Sequence, residues 1–195
     1  MIKDAGFILK SSTSDVHKSF YPSTLSLLKN LQQLGAAPIR MTSSGGLRHL
    51  IRDYDERPHE GVVIVRGTSS TNTVVSILDE ISSKYNVKIV SAISWELFDM
   101  QSEEYKSSII DSREWADSMI ITNTGLSVMK NWISNRTVSD YSLSPDWDNR
   151  WRTGGSLEQI IDEAHLSPRW VLKAIEKFSS ERTMRLNKLK QEIPE

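Results

Sequence analysis

VVIVRGTSST, residues 62–71, decides how this chain folds. Val62, Val63, Ile64 and Val65 follow one another with no polar alternation, so the strand they form needs cover on both faces. Gly67 to Thr71 then make a small-residue turn that opens into NTVVSILDEISSKY, residues 72–85, where Val74, Ile77, Leu78 and Ile81 share a helical face. VKIVSAI (87–93) and DSMIITNT (117–124) repeat the buried-strand pattern, and GLSVMKNWISN (125–135) groups Leu126, Met129, Trp132 and Ile133 on one side of a predicted helix. Strand–helix–strand units of this spacing imply right-handed crossovers and a mainly parallel sheet. The predicted fold class is α/β, a three-layer sandwich with a mainly parallel, mixed sheet.

The end of the chain reads as helical. SLEQIIDEAH (156–165) is followed by SPRWVLKAIEKF (167–178), with Ser167 at the cap and Pro168 in the first turn, and by a charged tail, MRLNKLKQEI (184–193). Upstream of residue 61 the pattern differs. GFILK suggests a short strand. YPSTLSLLKNLQQLG (21–35) is an amphipathic helix in which Leu25, Leu28, Leu31 and Leu34 recur at helical spacing and Gly35 terminates. LRHLIRDYDE (47–56) suggests a second short helix, closed by Arg57-Pro58. Residues 1–60 are therefore expected to form a lead-in packed on a main body over 61–195.

Composition narrows the function classes. A chain of 195 residues with formal charge −1 gives no bulk electrostatic reason to bind nucleic acid or a membrane surface. No cysteine is present, which excludes disulfides, thiolate metal sites and a cysteine nucleophile. No apolar run approaches the roughly 18 residues that span a bilayer. MIKDAGFILKSSTSD, interrupted by charges, is not read as a signal peptide, and the expected compartment is the cytoplasm.

Four features carry candidate chemistry. Gly67, Thr68 and Ser69 lie where doubly wound sheets bind phosphates, at a strand's carboxyl end and a helix's N-terminus, but neither G-x-G-x-x-G nor G-x-x-x-x-G-K-[ST] is present. In DWDNRWRTGGS (146–156), Arg150 and Arg152 either grip an anion or pair with Asp146 and Asp148 while Trp147 and Trp151 fill a seam. His17, His49, His59 and His165 show no metal-ligand spacing, and no G-x-S-x-G elbow supports a serine hydrolase. SWELFDMQSEEY (94–105) puts Trp95, Phe98 and Gln101 on one helical face, with Glu96, Asp99, Glu103 and Glu104 on others or in a break between two short helices. Those carboxylates are read as solvated or capping groups.

The last of these stretches brings a resemblance. Ser91, Glu96, Leu97, Phe98, Asp99, Gln101 and Tyr105 occupy the positions of a strand ending in V-V-S and an elFd-x-Q-x-x-x-Y segment, and so resemble the C-terminal domain of the transketolase and 2-oxo-acid dehydrogenase family of thiamine-diphosphate enzymes. VVIVRGTSSTNTVVSILDEI upstream and GGSLEQIIDEAHLSPRWVLKAIEKF downstream are similar to the same domain, so the likeness covers roughly residues 61–180. It departs at Asp148-Asn149-Arg150-Trp151-Arg152-Thr153, where the family has Asp-x-Phe-Gly-x-Ser. The lead-in and residues 121–143 are closer in layout to the homodimeric first component of pyruvate dehydrogenase.

The resemblance implies a domain or small subunit that docks or dimerises within an enzyme of carbohydrate or 2-oxo-acid metabolism. Thiamine diphosphate and Mg²⁺ are expected in that parent enzyme and not in this chain, which has no Gly-Asp-Gly magnesium motif. The isolated chain is expected to be inactive, and no catalytic, cofactor or metal residue is assigned. Expected partners are the enzyme's other domains or subunits and a second copy in a homodimer. Trp95, Trp147 and Trp151 are the interface candidates. The alternative is a free-standing anion- or nucleotide-binding module using Gly67, Thr68, Ser69, Arg150 and Arg152.

Overall fold

A computed structural model describes residues 50–150, 152 and 154–192, with the backbone of 40–41 and 47–48. The helix expected over 21–35, the strand expected at GFILK, His17, His49 and Trp151 lie outside the described residues. Four strands form the sheet: β1 (Leu50–Arg52), β2 (Val62–Arg66), β3 (Lys88–Ser91) and β4 (Ser118–Thr122). Their order is β1-β3-β2-β4, with β2 parallel to both neighbours and β1 antiparallel to β3. A parallel bridge between Ile121 and Leu143 carries the pairing one residue beyond β4. The sheet is mixed and mainly parallel.

Alternation along β2 explains the three layers. Val63 and Val65 join Ile89, Met119 and Ile121 on one face, under α1 (Thr68–Ser76), α2 (Leu78–Lys84) and α8 (Pro168–Ser180). Val62, Ile64, Val90 and Ile120 face the other way, towards Ile109, Met129, Trp132 and Val138. That second layer is built from α3 (Trp95–Asp99), α4 (Glu103–Ile109), α5 (Ser112–Ala116), a 3-10 helix over Leu126–Trp132 and α6 (Arg136–Tyr141). After α7 (Leu157–Glu163) and α8 the chain ends its described part in α9 (Arg182–Glu192).

Three segments differ from their expected form. Leu50–Arg52, expected within a helix, is an edge strand: Leu50 pairs with Val90 and Arg52 with Ile89 across a register shift. The open edge of β3 supplies the missing backbone partners, and that outweighs the local helical spacing. The helix expected over 72–85 starts earlier and breaks at Ile77, whose φ of −117° and ψ of 15° leave the helical basin. The segment after β4 winds as 3-10, not α-helix.

Two glycines are required by close approach. Gly61, at φ 110°, would put a Cβ 2.7 Å from the Phe178 ring and 2.9 Å from the Asp117 carbonyl. Gly67, at φ 91°, leaves no space for a Cβ beside the Asn123 side chain.

Buried charge ties the last helix to this core. Arg185 in α9 is 1% exposed. Its Nε donates to Asp117 Oδ1 at 2.7 Å, its remaining nitrogens donate to the carbonyls of Phe178 and Glu60, and its guanidinium lies 3.5 Å over the Phe178 ring. Arg182 Nε donates to the other Asp117 oxygen at 2.8 Å. The carboxylate is fully engaged, as a buried charge must be.

Candidate functional site

All three parallel strands point their carboxyl ends the same way, and the candidate residues gather there. The turn after β2 holds Gly67, Thr68 and Ser69 at the N-terminus of α1. Asn123, just past β4, donates from Nδ2 to Ser69 Oγ at 2.9 Å, and Thr71 Oγ1 donates to the Gly67 carbonyl at 2.8 Å. No side chain caps the helix start. Leu143 extends the sheet beside β4, so Ser144 to Arg152 leave from the same end. Asp146 accepts from the Leu126 backbone N–H at 3.1 Å and from Ser144, which links that loop to the 3-10 helix.

Arg150 and Arg152 are brought together on one carboxylate. Arg150 Nε reaches Asp148 Oδ2 at 2.9 Å and Arg152 Nη2 reaches Oδ1 at 3.1 Å. Arg152 also donates to the carbonyls of Pro145 and Glu163, so its guanidinium bridges the loop to the end of α7. Burial pushes the Asp148 carboxyl up, but the two arginines outweigh it and hold it below the usual range. Arg150 keeps its outer nitrogens in solvent, with 78% of the side chain exposed.

Beside them three rings stack. Trp147 lies 4.1 Å from His165, and His165 lies 3.9 Å from Trp170. His165 adopts φ 59°, which turns its ring into this slot. Burial pushes the imidazole pKa down, and Arg152 adds to that. Trp147, the outer ring, is half exposed. Hydrogen bonds from Arg169 and Ser167 hold Asp162 low. Ser167 therefore stands at the α8 cap position while its hydroxyl serves Asp162.

SWELFDMQSEEY forms two short helices with a break between them. Ser94 caps α3 and Ser102 caps α4. Trp95 and Phe98 meet Trp132 at 5.2 and 5.1 Å between ring centroids, and Trp95 also meets Trp115 at 5.6 Å. Trp115 Nε1 donates to the Trp132 carbonyl at 2.7 Å. The acids stay outside: Glu96, Asp99, Glu103 and Glu104 are exposed. The Glu96 backbone N–H and the Ser94 hydroxyl hold the Glu96 carboxylate below its ordinary range. Beneath the motif a cavity of about 30 Å³ is lined by Val90, Ile93, Leu97, Phe98, Tyr105 and Trp132. It holds about one water molecule, far short of the several hundred Å³ of a ligand pocket.

The sequence reading missed the partners of these residues. Trp115 and Trp132 complete the ring cluster, Asn123 braces the Gly67 turn, and His165 and Trp170 complete the stack. Only Trp132 has a local signal, its helical spacing with Leu126, Met129 and Ile133. Among the described residues, no three His, Asp or Glu side chains gather where they could hold a metal ion.

Comparison with known proteins gives one consistent direction. No family model matches the chain. It is 36% identical over 94 residues to the chloroplastic transketolase of Craterostigma plantagineum, a match spanning 47% of this chain and 18% of that protein. Against the chloroplastic transketolase-1 of Arabidopsis thaliana it is 36% identical over 100 residues, 50% of this chain and 13% of the other. A solved transketolase from Leishmania mexicana superposes with a TM-score of 0.54 at 12% identity, covering 75% of this chain and 20% of that one, a likeness of fold. In each case this chain spans a fifth or less of the longer protein.

Proposed function

We propose, for a chain that carries a transketolase-like domain, that it serves as the C-terminal docking and dimerisation domain, or a small subunit, of a thiamine-diphosphate enzyme. The observation that carries this reading is identity of 31–36% over about half the chain to transketolases of which it spans only 12–18%. Residues 61–195 are the body of that domain and residues 1–60 its lead-in. Half-exposed Trp147 beside Arg150 supplies the centre of the contact surface, since Trp and Arg dominate interface energetics. The carbanion chemistry belongs to the cofactor and to the rest of the enzyme. This chain contributes geometry and association.

The test uses the tagged chain to recover partners from its source cells. A partner containing thiamine diphosphate, with transketolase or 2-oxo-acid dehydrogenase activity in the recovered material, is expected. Calorimetric titration of the chain alone with thiamine diphosphate and Mg²⁺ should give no heat, and saturable micromolar binding overturns the reading. A cytoplasmic location belongs to the same proposal. Four of the relatives named as transketolase are chloroplastic by name, so imaging a fluorescent fusion decides between compartments.

A second reading, an anion-binding module, is favoured by one detail. Arg152 Nε is buried without a hydrogen-bond partner, close to exposed Arg150. Inorganic phosphate or a nucleotide should then raise the melting temperature in a saturable way that Arg150→Gln abolishes. A flat response removes this reading.

A further inference from the structure

We infer that a second copy of this chain covers the apolar, acid-rimmed face of α3 with the basic outer face of its own α9. This rests on the dimerisation part of the preceding reading. It names two surfaces that include neither Trp147 nor Arg150, so the two can fail separately.

Helix α3 leaves an apolar knob in solvent. It has no buried residue, and Ile93 and Leu97 are each 42% exposed while Met100 is 80% exposed. Leu97 and Met100, three residues apart, leave the helix on one side. Ile93 stands beside them, since it lines the same small cavity as Leu97. A stable domain normally covers a contiguous surface of this kind. Its rim is acidic. Residues 93–105 hold Glu96, Asp99, Glu103 and Glu104 and no base, and all four carboxylates are exposed. Lys106 meets Glu103 at 2.5 Å and Asp99 at 3.9 Å, which leaves the rim negative.

Helix α9 presents the complement. Residues 182–191 hold four bases and no acid. Arg182 and Arg185 are taken by Asp117, which leaves Lys188 and Lys190 facing out. Met184, Asn187, Lys188 and Gln191 recur at helical spacing and line an open hollow of about 720 Å³, with Met184 itself 59% exposed. The neighbouring acids are already engaged: Asp140 accepts from Lys188 Nζ at 2.7 Å, and Glu181 from the Tyr141 hydroxyl at 2.7 Å.

Charge is balanced over the whole chain, with 24 bases against 25 acids, yet these two faces carry opposite local excesses. Within one copy the sheet separates them. Helix α3 follows the carboxyl end of β3, whereas α9 is bound at Asp117, before the amino end of β4, and both strands run parallel to β2. Two copies satisfy both faces at once if each gives its α3 to the other's α9.

Sedimentation of the full chain tests this. The wild type should dimerise, and more weakly as salt rises. Glu96→Lys with Asp99→Lys makes a chain that is basic on both faces, and Lys188→Glu with Lys190→Glu makes one that is acidic on both. Each variant alone should self-associate at least ~10-fold more weakly than the wild type, because like charges then meet. An equimolar mixture should recover the dimer, since every α3 again meets an α9 of opposite sign, and that recovery also shows both variants to be folded. A monomeric wild type, a variant that self-associates as the wild type does, or a mixture that stays monomeric overturns the inference. A dimer that survives both variants and is lost with Trp147→Ser keeps the earlier dimerisation reading and removes this one.

Discussion

Two stretches rich in aromatic residues end up in different physical roles. In SWELFDMQSEEY the rings Trp95 and Phe98, three residues apart, leave one helix on one side and close over a strand end with Trp115 and Trp132. Over residues 146–150 the backbone has no helical period, and carbonyls and a carboxylate are gathered by Arg152 while Trp147 remains half in water. Aromatic content alone does not assign a residue to the core. What decides is whether the local backbone repeats at a period that aims successive rings at the same surface.

That difference can be broken by substitution, beginning with the largest effect. Trp132→Ala removes a ring that is 4% exposed and touches both Trp95 and Phe98, so chemical denaturation should show a loss of about 3–5 kcal/mol. Arg152→Ala leaves the carbonyls of Pro145 and Glu163 without this donor, and a loss of about 1–3 kcal/mol is expected by the same measurement. Trp147→Ser should fall below both in its effect on melting and instead reduce the mass of any self-associated species in light scattering. If it destabilises as strongly as Trp132→Ala, the two stretches are alike and the loop is core.

Acidity sharpens the contrast on the loop side alone. Burial depresses the His165 pKa in the folded chain, so the fold binds fewer protons there than the unfolded chain does. The associated stability is full above the unfolded value near 6.5 and is lost as pH falls through the folded value. Melting temperature should drop between about pH 7 and pH 5, and His165→Gln should flatten that part of the profile. The smallest effect is expected at Asp99→Asn. Its side chain is 61% exposed, and its 3.9 Å approach to Lys106 is a surface pair, so melting should be unchanged within error.

The central sheet was legible because Val62–Val65, Ile89–Val90 and Met119–Ile121 are continuous apolar runs. The helix after Ser167 was legible from Pro168 and its apolar spacing. Leu50–Arg52 was not, because three residues flanked by charges carry no strand period, and their partner lies across the sheet at Val90 and Ile89. Lys88, inside a strand read as apolar, is 6% exposed and is accommodated through Glu114, at 2.9 Å, with its Nζ 5.9 Å from the centre of the Tyr54 ring. The candidate site was half legible. Gly67, Thr68 and Ser69 follow from the strand–turn–helix order, whereas the sequence left Arg150 and Arg152 open between an anion and pairing with Asp146 and Asp148, and the structure pairs both with Asp148 alone of these two. The Trp147–His165–Trp170 stack depends on a left-handed backbone at His165, which no pattern of apolar residues encodes.

Arg185 gives the end of the chain a part in the order of assembly. Asp117 precedes the first residue of β4, and the guanidinium that meets it is 68 residues further on. During synthesis the strand can align with β2 long before that charge has its partner. A nascent chain halted anywhere before α9 holds a carboxylate that must either stay hydrated, keeping the lower end of β4 open, or enter the core uncompensated. Helix α9 thus acts as a latch that closes after the four described strands have been made. Loss of the chain from Arg182 onward would leave an unlocked domain and not merely a shorter one.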